Sequence, residues 1–137
     1  MSNLAKTYAQ LLGGVLTLVG VLGFVAPLAP TAASAPHGAL LGIFAIDPIH
    51  NVIHLASGIV GLLAANMAGG QYARLYAGVF GAVYAVVTIV GFIQGNTVLN
   101  LIDVNVADNF LHTAIAAASL AVYFLAGNNN AAATRTA

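Results

Sequence analysis

The chain has 137 residues, of which 61% are hydrophobic and 4% charged, with three Lys/Arg against three Asp/Glu and no cysteine. A soluble domain carries about 25% charged residues, so the natural solvent of this chain is a bilayer, and a mean hydropathy of +0.97 agrees. The even charge balance leaves no basic field to hold nucleic acid, and the missing thiols exclude disulfides, thiol catalysis and cysteine-ligated zinc or iron–sulfur centres.

A spanning helix takes roughly 20 mostly apolar residues, and four such segments read in chain order, at about Tyr8–Ala26, Pro48–Met67, Tyr72–Ile93 and Val106–Ala126. Lys6, the apolar run Leu11–Val25 and Ala33-Ser34-Ala35 imitate a cleavable signal peptide. Pro36 would then follow the cut, where its fixed φ and missing N–H make it a poor partner, so the first segment is expected to be a retained helix. Pro27 stops that helix, and the connection to Asp47 holds Pro30 and Pro36 followed by the apolar stretch Gly38–Ile46. That stretch is too short to span and reads as an interfacial or re-entrant cap.

Asp47 before Pro48 is a start signal for the second helix, because Asp caps free N–H groups and Pro suits the first helical position. Gly69-Gly70 closes that helix and Gly127 the fourth. Small residues on helix two (Ala56, Ser57, Gly58, Gly61, Ala64, Ala65) and helix four (Ala114, Ala116, Ala117, Ala118, Ser119) allow close backbone approach, which makes these two the expected inner pair.

The chain also resembles itself. Tyr8-Ala9-Gln10-Leu11-Leu12-Gly13-Gly14-Val15 matches Tyr72-Ala73-Arg74-Leu75-Tyr76-Ala77-Gly78-Val79 at five of eight positions, and Asn51-Val52-Ile53-His54 lies 58 residues before Asn109-Phe110-Leu111-His112. In the second match Asp47 falls opposite Asn105 and His50 opposite Asp108. Polar residues rarely coincide inside apolar helices by chance. The expected fold is an all-α membrane protein: one transmembrane domain over 1–137, a four-helix bundle of two parallel helical-hairpin repeats at about 8–68 and 72–127. Lys6, Arg74 and Arg135 flank one side, which the positive-inside rule makes cytoplasmic together with both termini. The three acids and four histidines then lie toward the outer side. The membrane is expected to be a bacterial plasma membrane or an internal photosynthetic membrane.

His54 and His112 each stand seven residues into a helix, about 10 Å below its start at 1.5 Å per residue. Ionisable groups at that depth face the bundle interior and take partners. Asn51 and Asn109, three residues earlier, can each reach a histidine; His50 and Asp108, four earlier, bring a second ligand to each helix. Three uses compete. The Asn–His pairs can bridge helices two and four structurally. His50, His54, Asp108 and His112 can form a three-nitrogen, one-oxygen site for zinc or another divalent metal, or His54 and His112, supported by Asn51 and Asn109, can ligate a haem or chlorophyll-type macrocycle. The cluster can also handle protons, since histidine titrates near ~6.5. His37 reads as a solvated loop histidine, Asp103 as a solvated end-of-loop acid, and Tyr84 as the one tyrosine deep enough to need a buried partner. With no glutamate, nucleophile elbow or phosphate loop, hydrolysis and phosphoryl transfer have nothing to rest on.

Leu41-Gly42-Ile43-Phe44, His50-Asn51-Val52-Ile53-His54-Leu55 and Asp108-Asn109-Phe110-Leu111-His112 resemble the core motifs of a family of small bacterial four-helix membrane proteins known only as a domain of unknown function. The resemblance covers nearly the whole chain, with Thr113 standing where that family's pattern has Leu. In general plan the chain is more remotely similar to DoxX-like membrane proteins. The resemblance implies fold and topology and brings no catalytic residues. Together these features predict a non-enzymatic membrane subunit, an accessory or structural part of a larger membrane assembly or homo-oligomer in contact with lipid. The alternatives are an outer-face histidine cofactor site and a DoxX-like redox or transport role.

Overall fold

The computed structural model describes residues 3–26 and 35–135, with side chains up to Gly127. Four helices dominate: α1 (Asn3–Val25), α2 (Pro48–Asn66), α3 (Ala73–Gln94) and α4 (Val106–Arg135). Segments of 22 or 23 residues, long and apolar enough to cross a membrane, cover α1, α2 with the following 3-10 turn Met67–Gly70, α3, and α4 as far as Gly127. The chain is therefore an integral membrane protein, and the outward Leu11, Leu18, Val86, Ile89 and Ile93 form a lipid-facing surface.

Pro27, Pro30, Ala33 and Ser34 lie outside the described residues, so the expected stop at Pro27 and the cleavage-site reading have no structural counterpart here. The expected cap at Gly38–Ile46 takes another form: a hairpin of β1 (Ala39–Leu40) and β2 (Phe44–Ala45), with Ala39 paired to Ala45 and Leu40 to Phe44. A second hairpin, β3 (Thr97–Val98) with β4 (Ile102–Asp103), joins α3 to α4. Both turn through left-handed backbone, at Leu41 (φ 57°) and Gly42 (φ 70°) and at Leu99 (φ 55°) and Asn100 (φ 56°). The first turn is closed by Gly42 N–H to Ala39 O at 3.2 Å and Ile43 N–H to Leu40 O at 3.1 Å, the second by Leu101 N–H to Val98 O at 3.0 Å. Two consecutive positive φ values match the right-handed twist of a tight hairpin, which a hydropathy reading of the apolar run does not detect.

The caps form as the sequence predicts. Oδ1 of Asp47 accepts from the N–H groups of Ile49 (2.7 Å) and His50 (3.0 Å), with Pro48 at the first helical position. At α4 the bonding is reciprocal: Asp108 N–H donates to Asn105 Oδ1 at 3.0 Å, and Asn105 N–H to Asp108 Oδ2 at 2.9 Å, the capping-box arrangement. The second oxygens and spare lone pairs tie the hairpins to the opposite helix. Asp103 N–H donates to Asp47 Oδ2 at 2.6 Å and Ala45 N–H to Asp108 Oδ2 at 2.9 Å.

Helix packing corrects one expectation. The small-residue face of α2 lies against α1, not α4: a Cβ added to Gly13 would stand 2.8 Å from Leu62 N and 2.9 Å from Gly58 O, and one added to Gly20 would stand 2.6 Å from Leu55 N. Similarly α3 packs on α4, where a Cβ at Gly81 would meet Leu120 at 2.9 Å. In lipid the drive for such pairing is van der Waals contact, which small residues maximise by letting backbones approach. Six buried positions of α1 (Ala5, Ala9, Gly13, Leu16, Gly20, Gly23) recur 68 residues later in α3 (Ala73, Ala77, Gly81, Tyr84, Thr88, Gly91). That spacing is one helical turn longer than the 64 of the sequence match, so Tyr8 stands at the place of Tyr76.

Candidate metal centre

Asp47 fixes the start of α2, and the helical period then carries His50, Asn51 and His54 onto its inner face; the Asn105–Asp108 cap does the same for Asn109 and His112 on α4. All five are buried, His50 to 1%, His112 to 2% and His54 to 7% exposure. The structure brings three of the four proposed metal ligands together. One ring nitrogen each from His50, His54 and His112 lies within 4.8 Å of the other two, and the ring centroids are 4.4, 5.7 and 6.3 Å apart. Asp108 is not in this group. Its Oδ2 is held by the amides of Ala45 and Asn105, so the carboxylate serves the hairpin and the cap.

Four ring nitrogens of the histidines lack a hydrogen-bond partner within the protein. Both ring nitrogens of His50 and Nδ1 of His54 and of His112 are buried without a hydrogen-bond partner. The carbonyls of Ala45 and Asp103 stand beside the His50 ring, outside bonding geometry. The Asn–His pairing expected from the three-residue spacing does not form: Oδ1 of Asn51 and of Asn109 is likewise unpartnered, and each amide packs on a glycine, Gly23 and Gly91 respectively. A buried polar atom without a partner costs about 1–3 kcal/mol, so this many in one place calls for an explanation.

The hydroxyl of Tyr84, expected to need a buried partner, has none, and its ring sits 5.3 Å from that of His112. Ser57, Tyr84 and the three histidines line a cavity of about 40 Å³ between α2 and α3, partly closed by Ile102 of β4. About 10–15 Å³ admits one water, so this space is the size of an ion with a water. Thr88, one helical turn beyond Tyr84 on α3, is also buried and unpartnered, and no local pattern singles it out.

Two expectations about loop residues are corrected. Asp103 is buried to 7% exposure and accepts at Oδ2 from His37 Nδ1 at 2.5 Å. His37 is exposed but paired, and the carboxylate beside it raises its pKa above the usual 6.5. The two are 66 positions apart, beyond any local spacing rule.

Four membrane-length helices enclosing a buried trio of histidines define a small polytopic membrane protein with a buried polar centre. The chain belongs to the family described as a domain of unknown function, DUF4383, whose model matches residues 6–125. No curated protein and no solved structure matches it.

Proposed function

We propose that this protein is a small membrane subunit whose contribution is a transition-metal centre held by His50, His54 and His112. The observation that supports it is the convergence of three buried imidazoles, with four unpartnered ring nitrogens, around a space of ion size. Two nitrogens bound to one tetrahedral ion at about 2.0–2.1 Å lie ~3.4 Å apart, so loading asks only for rotation of the rings toward one another. Three imidazoles with one open position suit zinc, copper, iron or nickel. Tyr84 and a water are the neighbours able to complete the set.

The bridging role for these histidines has less support, because a structural polar network is stabilising only when its members are satisfied. The 40 Å³ cavity gives no room for a macrocycle, and the apolar groove of about 380 Å³ that His54 and His112 also line, between α1 and α4, is the larger space beside them. The core on the far side of the histidines is built from residues such as Leu12, Leu16, Ala64 and Ala65, which gives no support to a translocation path. Lys6 and Arg74 lie at the helix ends remote from the hairpins, which under the positive-inside rule supports cytoplasmic termini and a metal centre toward the outer leaflet. The subunit role is drawn from a small chain made almost wholly of membrane-length helices with close small-residue contacts, and a co-purifying membrane protein would support it.

The test is metal analysis of protein purified from its native membrane, followed by titration with zinc and cobalt. About one ion per chain is expected, retained in Asp108→Asn and lost in the His54→Ala, His112→Ala double variant. Full metal content in the double variant, or none in the parent under any loading, overturns the reading.

A further inference from the structure

Three tyrosines pack in or against the helical core, and their hydroxyls are treated differently. Tyr8 Oη shares a hydrogen bond with Ser119 Oγ at 2.6 Å, and Tyr76 Oη donates to the carbonyl of Ser57 at 3.3 Å. Tyr84 Oη is buried with no hydrogen-bond partner within the protein, although a tyrosine taken out of water ordinarily brings its hydroxyl to one. The place on α1 that matches Tyr84, 68 residues earlier, belongs to Leu16. Leu16 is 3% exposed and Tyr84 5%. An apolar side chain therefore fills this level of the bundle adequately, and the phenol oxygen is what Tyr84 adds.

That oxygen stands among donors in the same condition. The Tyr84 ring lies 5.3 Å from the His112 ring, tilted by 55°, and both side chains line the 40 Å³ cavity together with His50 and His54. Three helices thus contribute to one space: α2 through two histidines, α4 through one, and α3 through the tyrosine. Around this cavity the buried polar side-chain atoms without a partner are the four imidazole nitrogens and the Tyr84 hydroxyl.

The rival oxygens are less suited. Of the other lining residues only Ser57 carries a side-chain oxygen, and an aliphatic hydroxyl keeps its proton where a phenol, with an ordinary pKa of about 10, can lose it to a bound cation. Asp47 and Asp103 act on His50 through their charge, but neither belongs to the group of converging ligand atoms. Asp47 is engaged by the amides of Ile49, His50 and Asp103, and Asp103 by His37.

We infer that Tyr84, as its phenolate, is the fourth ligand of the ion held by His50, His54 and His112. This rests on the metal reading above and narrows the class of ion: imidazole suits copper and iron as well as zinc, and a hard anionic oxygen favours the oxidised forms of the first two, cupric and ferric. On coordination the phenol O–H bond is replaced by an oxygen–metal bond, the proton passes to bulk water, and no electron moves.

The experiment uses full-length protein in phosphatidylcholine nanodiscs, titrated with cupric ion while visible absorption and resonance Raman spectra are recorded. A phenolate-to-copper charge-transfer band is expected, with tyrosine ring modes enhanced on excitation within it. Tyr84→Phe is expected to keep about one copper per chain, hold it at least about tenfold more weakly, and lose the band. Tyr76→Phe, whose missing hydroxyl served the Ser57 carbonyl, is expected to retain it. Tyr84→Leu, the side chain that α1 carries at the matching place, gives the same comparison should Tyr84→Phe fail to fold. Copper bound by the parent without the band, or a band that survives in the Tyr84 variants, overturns the inference and leaves the three-histidine centre standing. Binding of zinc or cobalt but not of copper does the same. Failure of the parent to bind any of the three ions overturns both readings.

Discussion

Asp47 and Asp103 are 56 positions apart, yet the N–H of Asp103 donates to Oδ2 of Asp47 at 2.6 Å while Oδ1 of the same carboxylate caps α2. One side chain therefore sets the start of the helix that carries His50 and His54 and anchors the hairpin leading to the helix that carries His112. Asp47→Ala removes a cap, about 1 kcal/mol, and strands a buried amide, about 1–3 kcal/mol. The expected loss is roughly 2–4 kcal/mol by thermal unfolding in mild detergent. A change near zero would mean that water replaces the carboxylate at both places.

Adjacent glycines on α1 are expected to respond oppositely to alanine. At Gly13 the new methyl would press on the backbone of α2, 2.8 Å from Leu62 N, whereas at Gly14 nothing lies within 4 Å. Gly13→Ala should destabilise by about 1–3 kcal/mol through overpacking. Gly14→Ala should be neutral or gain up to about 1 kcal/mol of helix propensity. Melting temperatures of the two variants, measured side by side, check the pair, and similar values would contradict the close α1–α2 approach.

The hairpin tips hold leucine where glycine is at ease. Leu41 and Leu99 have φ near 56° with 75% and 63% of their surface exposed, so neither is forced into that conformation by burial. Left-handed backbone costs an L-residue about 1–2 kcal/mol. Leu41→Gly should recover part of this as added stability, and a loss would show that the exposed leucine is held by a partner or by the bilayer surface.

His37 supplies a pH-dependent term. Its pKa is raised above 6.5 by the hydrogen bond and charge of Asp103, so the pair is fully formed below the unfolded value and is lost as pH rises through the higher folded value. Following the His37 ring protons by NMR should give a midpoint above 6.5 that Asp103→Asn returns toward it. With 61% of the His37 side chain exposed, solvent screening keeps the stability effect small. An unshifted midpoint in the parent would contradict the contact.

Much of this architecture is legible in the residues themselves. Four spans, the Asp47–Pro48 start and the placing of His50 and His54 on one helix face follow from hydropathy, cap chemistry and helical spacing, all of which act over a few residues, whereas the approach of His112 to them depends on how α4 packs. The hairpins escape such a reading because Leu41 and Leu99 occupy turn positions that normally announce themselves as glycine or asparagine. Asp108 looks like a metal ligand by its four-residue spacing from His112, and only the position of the distant Ala45 amide shows where its oxygen goes. The same holds for Asp103, whose partner on the Pro36–Gly38 turn no local pattern reveals. Small residues on α2 signal close packing, but they do not say against which helix, and α1 offers the matching glycines.

The Gly13–Gly58 contact lies wholly within the first helical hairpin, so α1 and α2 can associate as soon as both have entered the bilayer. The histidine centre has a different timing, because His50 and His54 must wait for His112 near the end of synthesis. A nascent chain thus holds its first pair of imidazoles apart from the third until α4 has been inserted. Metal capture would then follow completed membrane insertion and mark a finished molecule.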